Sequence, residues 1–281
     1  MSLMLKVFQS FTLVILLFFG TGCQGLFFYP QKELLLSPDA LGVSFETKEI
    51  QTSDGEKLFA WVLQPAISPK GTIAFFHGNA ENISTHIGSV YWLPKYGFRI
   101  LIVDYRGYGR SSGTPSIAGL IEDVQSSLSY VLDRNSEYGE VCVFSQSLGA
   151  SIAVTAVAQF DRRSQVRAMV IDSAFSDYQK IVQDKLSAIW LTWPFQKPLS
   201  LMFSNEFSPL KHVSQLKGMP LLFAHGERDQ IVLPYHTRRL YEASEEPKDA
   251  VFLKDAHHTQ VFRTEEMQKK LVSFFELHGC K

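Results

Sequence analysis

Along most of the chain, short runs of β-branched and aromatic residues alternate with amphipathic stretches. Ser44–Thr52 alternates apolar and polar side chains, turns at residues 54–55 and resumes as Lys57–Gln64, which predicts a β-hairpin. Six apolar runs follow, at Gly71–Phe76, Phe98–Asp104, Glu140–Phe144, Val166–Ile171, Pro220–Ala224 and Ala250–Leu253. Helical segments lie near residues 82–95, 116–134, 147–159, 235–243 and 264–278. This alternation predicts an α/β fold with a mostly parallel, doubly wound sheet and helices on both faces.

One interval, about residues 176–213, breaks the alternation. It is rich in aromatic and aliphatic side chains but has no strand-like run of its own, so we expect an insertion between two strands. Insertions at this position commonly lie over the site of such a fold. We therefore favour a short aromatic lid in which Trp190, Trp193, Phe195 and Phe203 line the substrate pocket. The alternative is that these side chains form core beneath a pair of helices.

The chain begins with an uncharged, apolar segment. No charged residue lies between Lys6 and Lys32, and Val7–Phe19 is almost wholly apolar before a group of small residues. Such a plan is typical of a signal peptide. Gly20–Cys23 also resembles a bacterial lipobox, with Gly at a position that is usually Leu, and this resemblance implies lipidation of Cys23. An uncleaved N-terminal anchor and a buried N-terminal helix are the alternatives.

The predicted organisation is a signal peptide (residues 1–22), a tether (23–44) and one domain (45–281) that includes the insertion at about 176–213. In Gram-negative lipoproteins, a residue other than Asp after the cysteine, here Gln24, usually accompanies the outer membrane. The lipobox resemblance therefore implies a cell-envelope lipoprotein, with the outer membrane slightly favoured and the domain outside the cytoplasm. Acyl chains such as palmitate would hold it on the membrane, since two or more chains give stable anchoring.

Charge and cysteine content exclude several other classes. With 27 Lys and Arg against 28 Asp and Glu, the formal net charge is −1, which argues against a nucleic-acid partner. The three cysteines lie far apart, which excludes a disulfide-dense scaffold and a CxxC zinc site; we expect no metal and no other cofactor. Cys142 and Cys280 would be free to pair after export, but the position of Cys142 within an apolar run favours a small buried hydrophobe.

The strongest chemical signal is a serine between a strand and a helix. Ser147 follows the apolar run Glu140–Phe144, within the sequence Ser-Gln-Ser-Leu-Gly, and precedes an Ala-rich helical segment. Such a turn lies at the carboxyl edge of an α/β sheet and holds the serine in a strained conformation with Oγ exposed, which requires small residues two positions before and after it. Ser145 and Gly149 meet that requirement, so we predict that Ser147 is a nucleophile.

A nucleophilic serine needs a base, and the base needs a carboxylate that orients it. In α/β-hydrolases these residues follow the serine in the order Asp or Glu, then His. Asp229 and His258 each lie in the loop that follows an apolar run, so both are expected at the same sheet edge as Ser147. We predict these three residues as a catalytic triad, with Asp172 as the alternative acid.

Other turns at this edge complete the pattern. The run Gly71–Phe76 ends in a tight turn, so the backbone amide of Asn79, with that of Leu148, is predicted to form an oxyanion hole. The segments HGNAEN, DYRGYGRSSG, SQSLG and HGERDQIV together resemble the α/β-hydrolase superfamily, most closely its Bem46-like and serine-aminopeptidase-like (S33-type) branch. The resemblance covers about residues 45–281, with the four motifs in family order.

The chain departs from the family pattern at two places. Ser145 stands where close relatives have Gly, and a serine still fits there sterically. The usual Gly-x-Gly-His loop is replaced by Asp-Ala-His-His, at residues 255–258, which makes His257 an alternative base. Counting along the family pattern places His258 at the catalytic position, and we favour it.

The residues and the resemblance together imply a membrane-attached serine hydrolase that cleaves an ester or related acyl bond of a small substrate through an acyl-enzyme. A peptidase or aminopeptidase and a thioesterase are alternatives on the same triad. An aminopeptidase would need a carboxylate for the substrate amine, and the insertion offers Asp177, Asp184 and Glu206. A different class of alternative is a membrane-tethered binding module with a catalytically silent hydrolase fold.

Overall fold

The computed structural model describes residues 28–281, so the predicted signal peptide, its lipobox and Cys23 lie outside the described residues. The strands in this part of the chain are β1 (Tyr29–Pro30), β2 (Phe45–Gln51), β3 (Lys57–Leu63), β4 (Gly71–Phe76), β5 (Ala80–Glu81), β6 (Phe98–Val103), β7 (Val141–Gln146), β8 (Val166–Asp172), β9 (Leu221–Gly226) and β10 (Lys248–Leu253). Its α-helices are α1 (Ile83–His86), α2 (Ile117–Leu132), α3 (Asn135–Tyr138), α4 (Leu148–Ala158), α5 (Tyr178–Ser187), α6 (Gln196–Ser200), α7 (Pro209–His212), α8 (Tyr235–Ala243) and α9 (Glu265–Leu277).

Eight strands form one central sheet in the order β10-β9-β8-β7-β4-β6-β3-β2. β2 and β3 form the predicted antiparallel hairpin, and β3 is also antiparallel to β6. The remaining neighbours in the sheet are parallel. The parallel strands therefore have their carboxyl ends at one edge, where an α/β fold binds its ligands.

The central strands are buried because helices cover both faces of the sheet. Every residue of β4 and β7 is buried, and successive side chains point to opposite faces. Val143 packs in the core beneath α2 and α4, whereas Phe144 packs in the core beneath α9. These two apolar layers explain why β4 and β7 read as continuous apolar runs rather than as an alternating pattern.

A disulfide joins the central sheet to the end of the chain. Cys142, in β7, is bonded to Cys280, 138 residues later. Both cysteines are fully buried. The expected burial of Cys142 is therefore observed, but its interpretation as an unpaired hydrophobe is wrong, because the end of α9 brings Cys280 against the same face of the sheet.

The described part of the predicted tether, residues 28–44, packs against the domain. β1 pairs in parallel with β5, and the Gln31 carbonyl accepts hydrogen bonds from Asn82 Nδ2 (3.0 Å) and from the Gly109 backbone N–H (2.9 Å). The Leu35 N–H donates to Ser84 Oγ at 2.9 Å. Residues 28–44 are thus part of the folded unit, which corrects their interpretation as a tether. Their local composition gave no sign of this packing.

The predicted insertion lies between β8 and β9 and contains α5, α6 and α7. Asp177 begins α5 as its N-cap, where its carboxylate accepts a hydrogen bond from the Lys180 N–H at 2.8 Å. This bond satisfies one of the free N–H groups of the first turn. Within residues 28–281, no helix combines the length and apolar character that crossing a membrane requires.

Candidate active site

Ser147 occupies a strained turn between β7 and α4. Its backbone has φ 56° and ψ −121°, a positive-φ conformation that residues other than Gly rarely adopt. The Ser147 N–H donates to the Asp172 carbonyl at 2.8 Å, which fixes the turn on the neighbouring strand β8. The predicted elbow is therefore present in the backbone geometry.

The residues two positions before and after Ser147 are small for different reasons. Ser145 is buried in β7 and donates its hydroxyl to the Val170 carbonyl at 2.9 Å, so it is engaged within the sheet. At Gly149, an added Cβ would lie 2.3 Å from the His77 carbonyl oxygen and 2.4 Å from that of Phe76. The turn can therefore accept Ser at position 145, whereas position 149 has no space for any side chain.

The structure brings the three predicted triad residues into one hydrogen-bonded chain. Ser147 Oγ lies 2.9 Å from His258 Nε2, and His258 Nδ1 lies 2.6 Å from Asp229 Oδ2. With the Nδ1 proton donated to the carboxylate, Nε2 is free to accept the serine proton. This is the arrangement that makes a serine hydroxyl nucleophilic.

The Asp229 carboxylate is held in place from both oxygens. Oδ1 accepts backbone N–H bonds from Ile231 (2.8 Å) and Val232 (3.0 Å). Burial raises the pKa of this carboxyl, but hydrogen bonds from His225 and His258, the charge of His258 and the Val232 N–H outweigh it and hold the pKa well below its usual range. Asp229 is therefore an anion at neutral pH and stabilises positive charge on His258.

His225 is a site residue that our sequence reasoning did not identify. It is fully buried at the end of β9, with Nε2 3.0 Å from Asp229 Oδ2 and 2.9 Å from the Val232 carbonyl. Both atoms near Nε2 are acceptors, so Nε2 carries the proton and donates. Nδ1 lies 2.7 Å from Thr237 Oγ1, which anchors the ring from its other side. The one available signal was its place at a strand end, four residues before Asp229.

The alternative acid and base are engaged elsewhere. Asp172 accepts hydrogen bonds from Gln146 Nε2 and Ser173 Oγ, both at 2.9 Å. His257 is exposed, and its Nδ1 lies 3.1 Å from the Arg228 carbonyl. Asp229 and His258, rather than Asp172 and His257, therefore form the hydrogen-bonded chain with Ser147.

The turn after β4 lies beside the nucleophile. A Cβ added at Gly78 would sit 3.5 Å from Ser147 Cβ, so the backbone passes close to the serine there. The Asn79 side chain holds neighbouring segments together, because its Oδ1 accepts hydrogen bonds from Tyr108 Oη (2.9 Å) and the Tyr29 N–H (3.3 Å). Asn79 and Leu148, the predicted oxyanion-hole residues, line the same cavity as Ser147.

That cavity has a volume of about 350 Å³ and is mainly apolar. Its lining consists of Tyr29, Asn79, Ser147, Leu148, Phe175, Ile181, Val182, Lys185, Leu186, Phe203, Ile231 and Val232. Cavities of this size and character accommodate small organic molecules. The contribution of Tyr29 was not predicted, because it depends on the packing of β1 beside β5.

The predicted aromatic lid residues separate into two groups. Phe203 lines the cavity, whereas Trp190, Trp193 and Phe195 are exposed on the outer surface of the insertion. The expectation that all four line the pocket is therefore wrong for three of them. Within the insertion, the cavity is lined by residues of α5, at positions 181–186, and by Phe203, a distribution that apolar composition does not reveal.

The carboxylates that an aminopeptidase would require are absent from the lining of this cavity. Asp177 caps α5 and pairs with Arg239 at 2.8 Å. Asp184 accepts a hydrogen bond from Lys180 Nζ at 2.9 Å and lies 3.0 Å from His236 Nε2, while Glu206 is exposed. In the described part of the chain, no group of three or more His, Cys, Asp or Glu side chains is arranged to hold a metal ion.

Comparison with protein families and curated proteins gives a consistent result. Residues 67–204 match the family described as "Serine aminopeptidase, S33". The chain is 31% identical over 241 residues to the uncharacterized protein YfhR of Escherichia coli K12, covering 84% of this chain and 80% of YfhR. It is 28% identical to protein bem46 of Schizosaccharomyces pombe, covering 73% of this chain and 68% of bem46.

Among solved structures, the esterase Pf2001 of Pyrococcus furiosus is similar, with a TM-score of 0.73. The match covers 89% of this chain and 97% of the esterase, at 23% sequence identity. At this identity the likeness concerns the fold, and it agrees with the predicted sheet and flanking helices.

Proposed function

Because this chain belongs to the Bem46-like branch of the α/β-hydrolase superfamily, we propose that it is a serine hydrolase that cleaves an ester or related acyl bond. The observation that carries the proposal is the hydrogen-bonded chain from Ser147 through His258 to Asp229. Ser147 itself lies on a strained turn and lines an apolar cavity.

In the proposed mechanism, Ser147 Oγ attacks the acyl carbonyl carbon while His258 Nε2 takes the hydroxyl proton. The Asp229 carboxylate keeps the Nδ1 proton of His258 in place and stabilises the imidazolium. Backbone N–H groups of Asn79 and Leu148 stabilise the negative oxygen. His258 then gives its proton to the leaving alcohol, and a water molecule, activated by the same imidazole, releases the acid and regenerates Ser147.

The cavity supports an acyl or ester substrate over a peptide with a free amino terminus. Lys185 is the charged side chain in its lining, and its ammonium group would repel a substrate amine. The aminopeptidase alternative, which the matched family description suggests, requires the opposite charge at this place. A thioester would react by the same steps as an oxygen ester, and the geometry favours neither.

We also propose that the protein is exported and attached to a membrane through its N-terminal segment. The uncharged run between Lys6 and Lys32 supports this, and lipidation of Cys23 with outer-membrane placement is the finer form of the proposal. The disulfide between Cys142 and Cys280 fits an oxidising compartment outside the cytoplasm. Cys23→Ser is expected to release the protein from the membrane fraction, whereas an uncleaved anchor would retain it.

The enzymatic proposal is tested by covalent labelling with a fluorophosphonate probe. We expect the wild type and Ser145→Ala to be labelled and Ser147→Ala to remain unlabelled while keeping its fold by circular dichroism. Ser145→Ala is the matched control because the two hydroxyls lie two residues apart. Absence of labelling in the folded wild type would support the silent binding module instead.

The bond specificity is tested by comparing a short-chain nitrophenyl ester with an aminoacyl anilide. We expect turnover of the ester and much slower turnover of the anilide, because the cavity lining has no carboxylate for the amine. The Lys185→Glu variant reverses the charge at the cavity. It should narrow the difference between the two substrates, and a wild type that prefers the anilide would contradict the proposal.

A further inference from the structure

The insertion between β8 and β9 exposes an unusual density of large apolar side chains. Trp190 is 85% exposed and Leu201 is 72% exposed. Ile189, Leu191, Trp193, Phe195, Leu199 and Met202 are exposed as well. Contiguous apolar patches of this kind on a folded domain mark a surface that binds something. We call residues 187–202 the apolar rim.

The charges around the apolar rim indicate the chemistry of its partner. From Lys185 to Asn205 the chain has two lysines, Lys185 and Lys197, and no acidic residue. The nearest carboxylates along the chain are Asp184, which accepts a hydrogen bond from Lys180, and Glu206. Tryptophan is enriched where proteins meet the interface of a lipid bilayer, and basic residues near such a surface are attracted to anionic lipids. A second copy of the same surface would place like charges together, which disfavours a symmetric dimer.

The apolar rim is joined at both ends to residues of the catalytic cavity. Leu186 and Phe203, which flank the rim in the sequence, both line that cavity. Tyr29 and Ile231 also line it and are themselves exposed. The described part of the chain thus begins at residue 28, one position before a residue of the cavity lining, and the apolar run Val7–Phe19 precedes it in the sequence.

We propose that the apolar rim, together with Tyr29 and Ile231, is the surface by which the domain contacts an anionic lipid bilayer. In this orientation the cavity mouth faces the membrane, so that a substrate enters it from the lipid phase. The substrate class is then the acyl ester of an amphiphile resident in the bilayer. This last step rests on the proposed function, whereas the contact itself does not.

The protein carries its own probes for this contact. Of its four tryptophans, Trp61 and Trp92 are buried, while Trp190 and Trp193 are exposed on the rim. The full chain is reconstituted into vesicles of phosphatidylcholine and phosphatidylglycerol, with and without bromine on the acyl chains. We expect brominated lipid to quench the tryptophan emission by about half, and the Trp190→Phe/Trp193→Phe variant to lose that quenching.

Equal emission in brominated and ordinary vesicles, with the protein bound to both, would overturn the proposal. Emission that changes with the density of protein but not with bromine would also overturn it, because a second copy would then cover the rim. Pure phosphatidylcholine vesicles are expected to reduce the quenching, since they remove the anionic partner of Lys185 and Lys197.

A matched pair of variants separates the contact from catalysis. Leu201→Glu places a negative charge on the rim. Leu277→Glu makes the same change at a residue that is 77% exposed and lines a surface pocket with Leu221, the first residue of β9, so it lies at the end of the sheet opposite the carboxyl edge. We expect Leu201→Glu, but not Leu277→Glu, to reduce both the quenching and the hydrolysis of a bilayer-dissolved ester, the latter about fivefold.

Both variants are expected to match the wild type on a water-soluble ester, because neither side chain lines the cavity. If Leu201→Glu and Leu277→Glu behave alike in the vesicles, the rim is not a membrane contact. If the wild type hydrolyses neither ester, the proposed function fails, while the quenching still decides whether the rim contacts lipid.

Discussion

Gly149→Ala tests whether the close packing behind the nucleophile is essential. The new Cβ would lie 2.3 Å from the His77 carbonyl oxygen, 2.4 Å from that of Phe76 and 2.6 Å from Tyr105 Oη. The first two distances are about 0.7 and 0.6 Å below the 3.0 Å that real Cβ contacts essentially never undercut. Both carbonyls belong to or follow β4, which is hydrogen-bonded on both sides within the sheet. Neither carbonyl can move without the sheet, so the first turn of α4 must shift instead.

The close contacts at Gly149 determine how much stability and activity this substitution should cost. Overpacking of a dense core costs about 1–3 kcal/mol, and the upper end applies because two of the three obstructing atoms are backbone oxygens. A displacement approaching 1 Å at a nucleophile lowers the rate about 100-fold. We therefore expect Gly149→Ala to lose about 3 kcal/mol of unfolding free energy and about 100-fold in kcat/KM.

Urea unfolding and hydrolysis of a short-chain nitrophenyl ester measure the two quantities. Gly88→Ala is the matched control, because a Cβ there meets nothing within 4 Å and its φ is not positive. We expect it to retain full activity and stability. A Gly149→Ala protein that is as stable and as active as Gly88→Ala would refute the reasoning about the turn.

Three further predictions concern buried side chains other than Ser147. His225→Phe removes a hydrogen bond to the charged Asp229, worth about 1.5–3 kcal/mol, so kcat/KM should fall about 10- to 100-fold. His225→Gln keeps an N–H donor and should recover part of the lost activity. Equal losses of activity in the two variants would mean that His225 only fills space. Burial raises the pKa of Asp104 to about 7. The folded state therefore binds a proton more tightly than the unfolded chain between about pH 4 and 7, and stability should decline as pH rises through that window by up to about 4 kcal/mol. Asp104→Asn should flatten this dependence in urea titrations, and an unchanged slope would contradict the assignment. Replacing Cys142 and Cys280 by Ala opens a 138-residue loop and should cost up to about 5 kcal/mol, measured by unfolding under oxidising conditions; equal midpoints would show that the bond adds no stability.

The sheet and the three hydrogen-bonded residues could be predicted because their signals are local. Each parallel strand is a short apolar run, and Ser147, Asp229 and His258 each lie in the turn or loop that follows one. In a parallel sheet, that position alone places a side chain at the carboxyl edge. Order along the chain then assigned the partners, and the structure brings these three together at hydrogen-bond distance.

The features that could not be predicted depend on contacts between distant segments. The role of His225 depends on the loop after β9, which brings the Asp229 carboxylate back to the His225 ring. The contribution of Tyr29 to the cavity lining depends on the pairing between β1 and β5. The cysteine bond needs α9 to end over β7. For Trp190 and its neighbours, apolar character indicated burial, but the direction in which an insertion folds back is determined by packing rather than composition.

The way Tyr29 closes one side of the cavity constrains how the protein can be shortened for study. Deleting everything before residue 31, in order to remove the apolar N-terminal segment, would also delete Tyr29 from the lining of the cavity. It would also remove the Tyr29 peptide N–H, which donates a hydrogen bond to Asn79 Oδ1. Substrate preferences measured on such a version would belong to an enlarged opening rather than to the native one. A version that starts at residue 28 retains both contacts and is the appropriate starting point for a substrate screen.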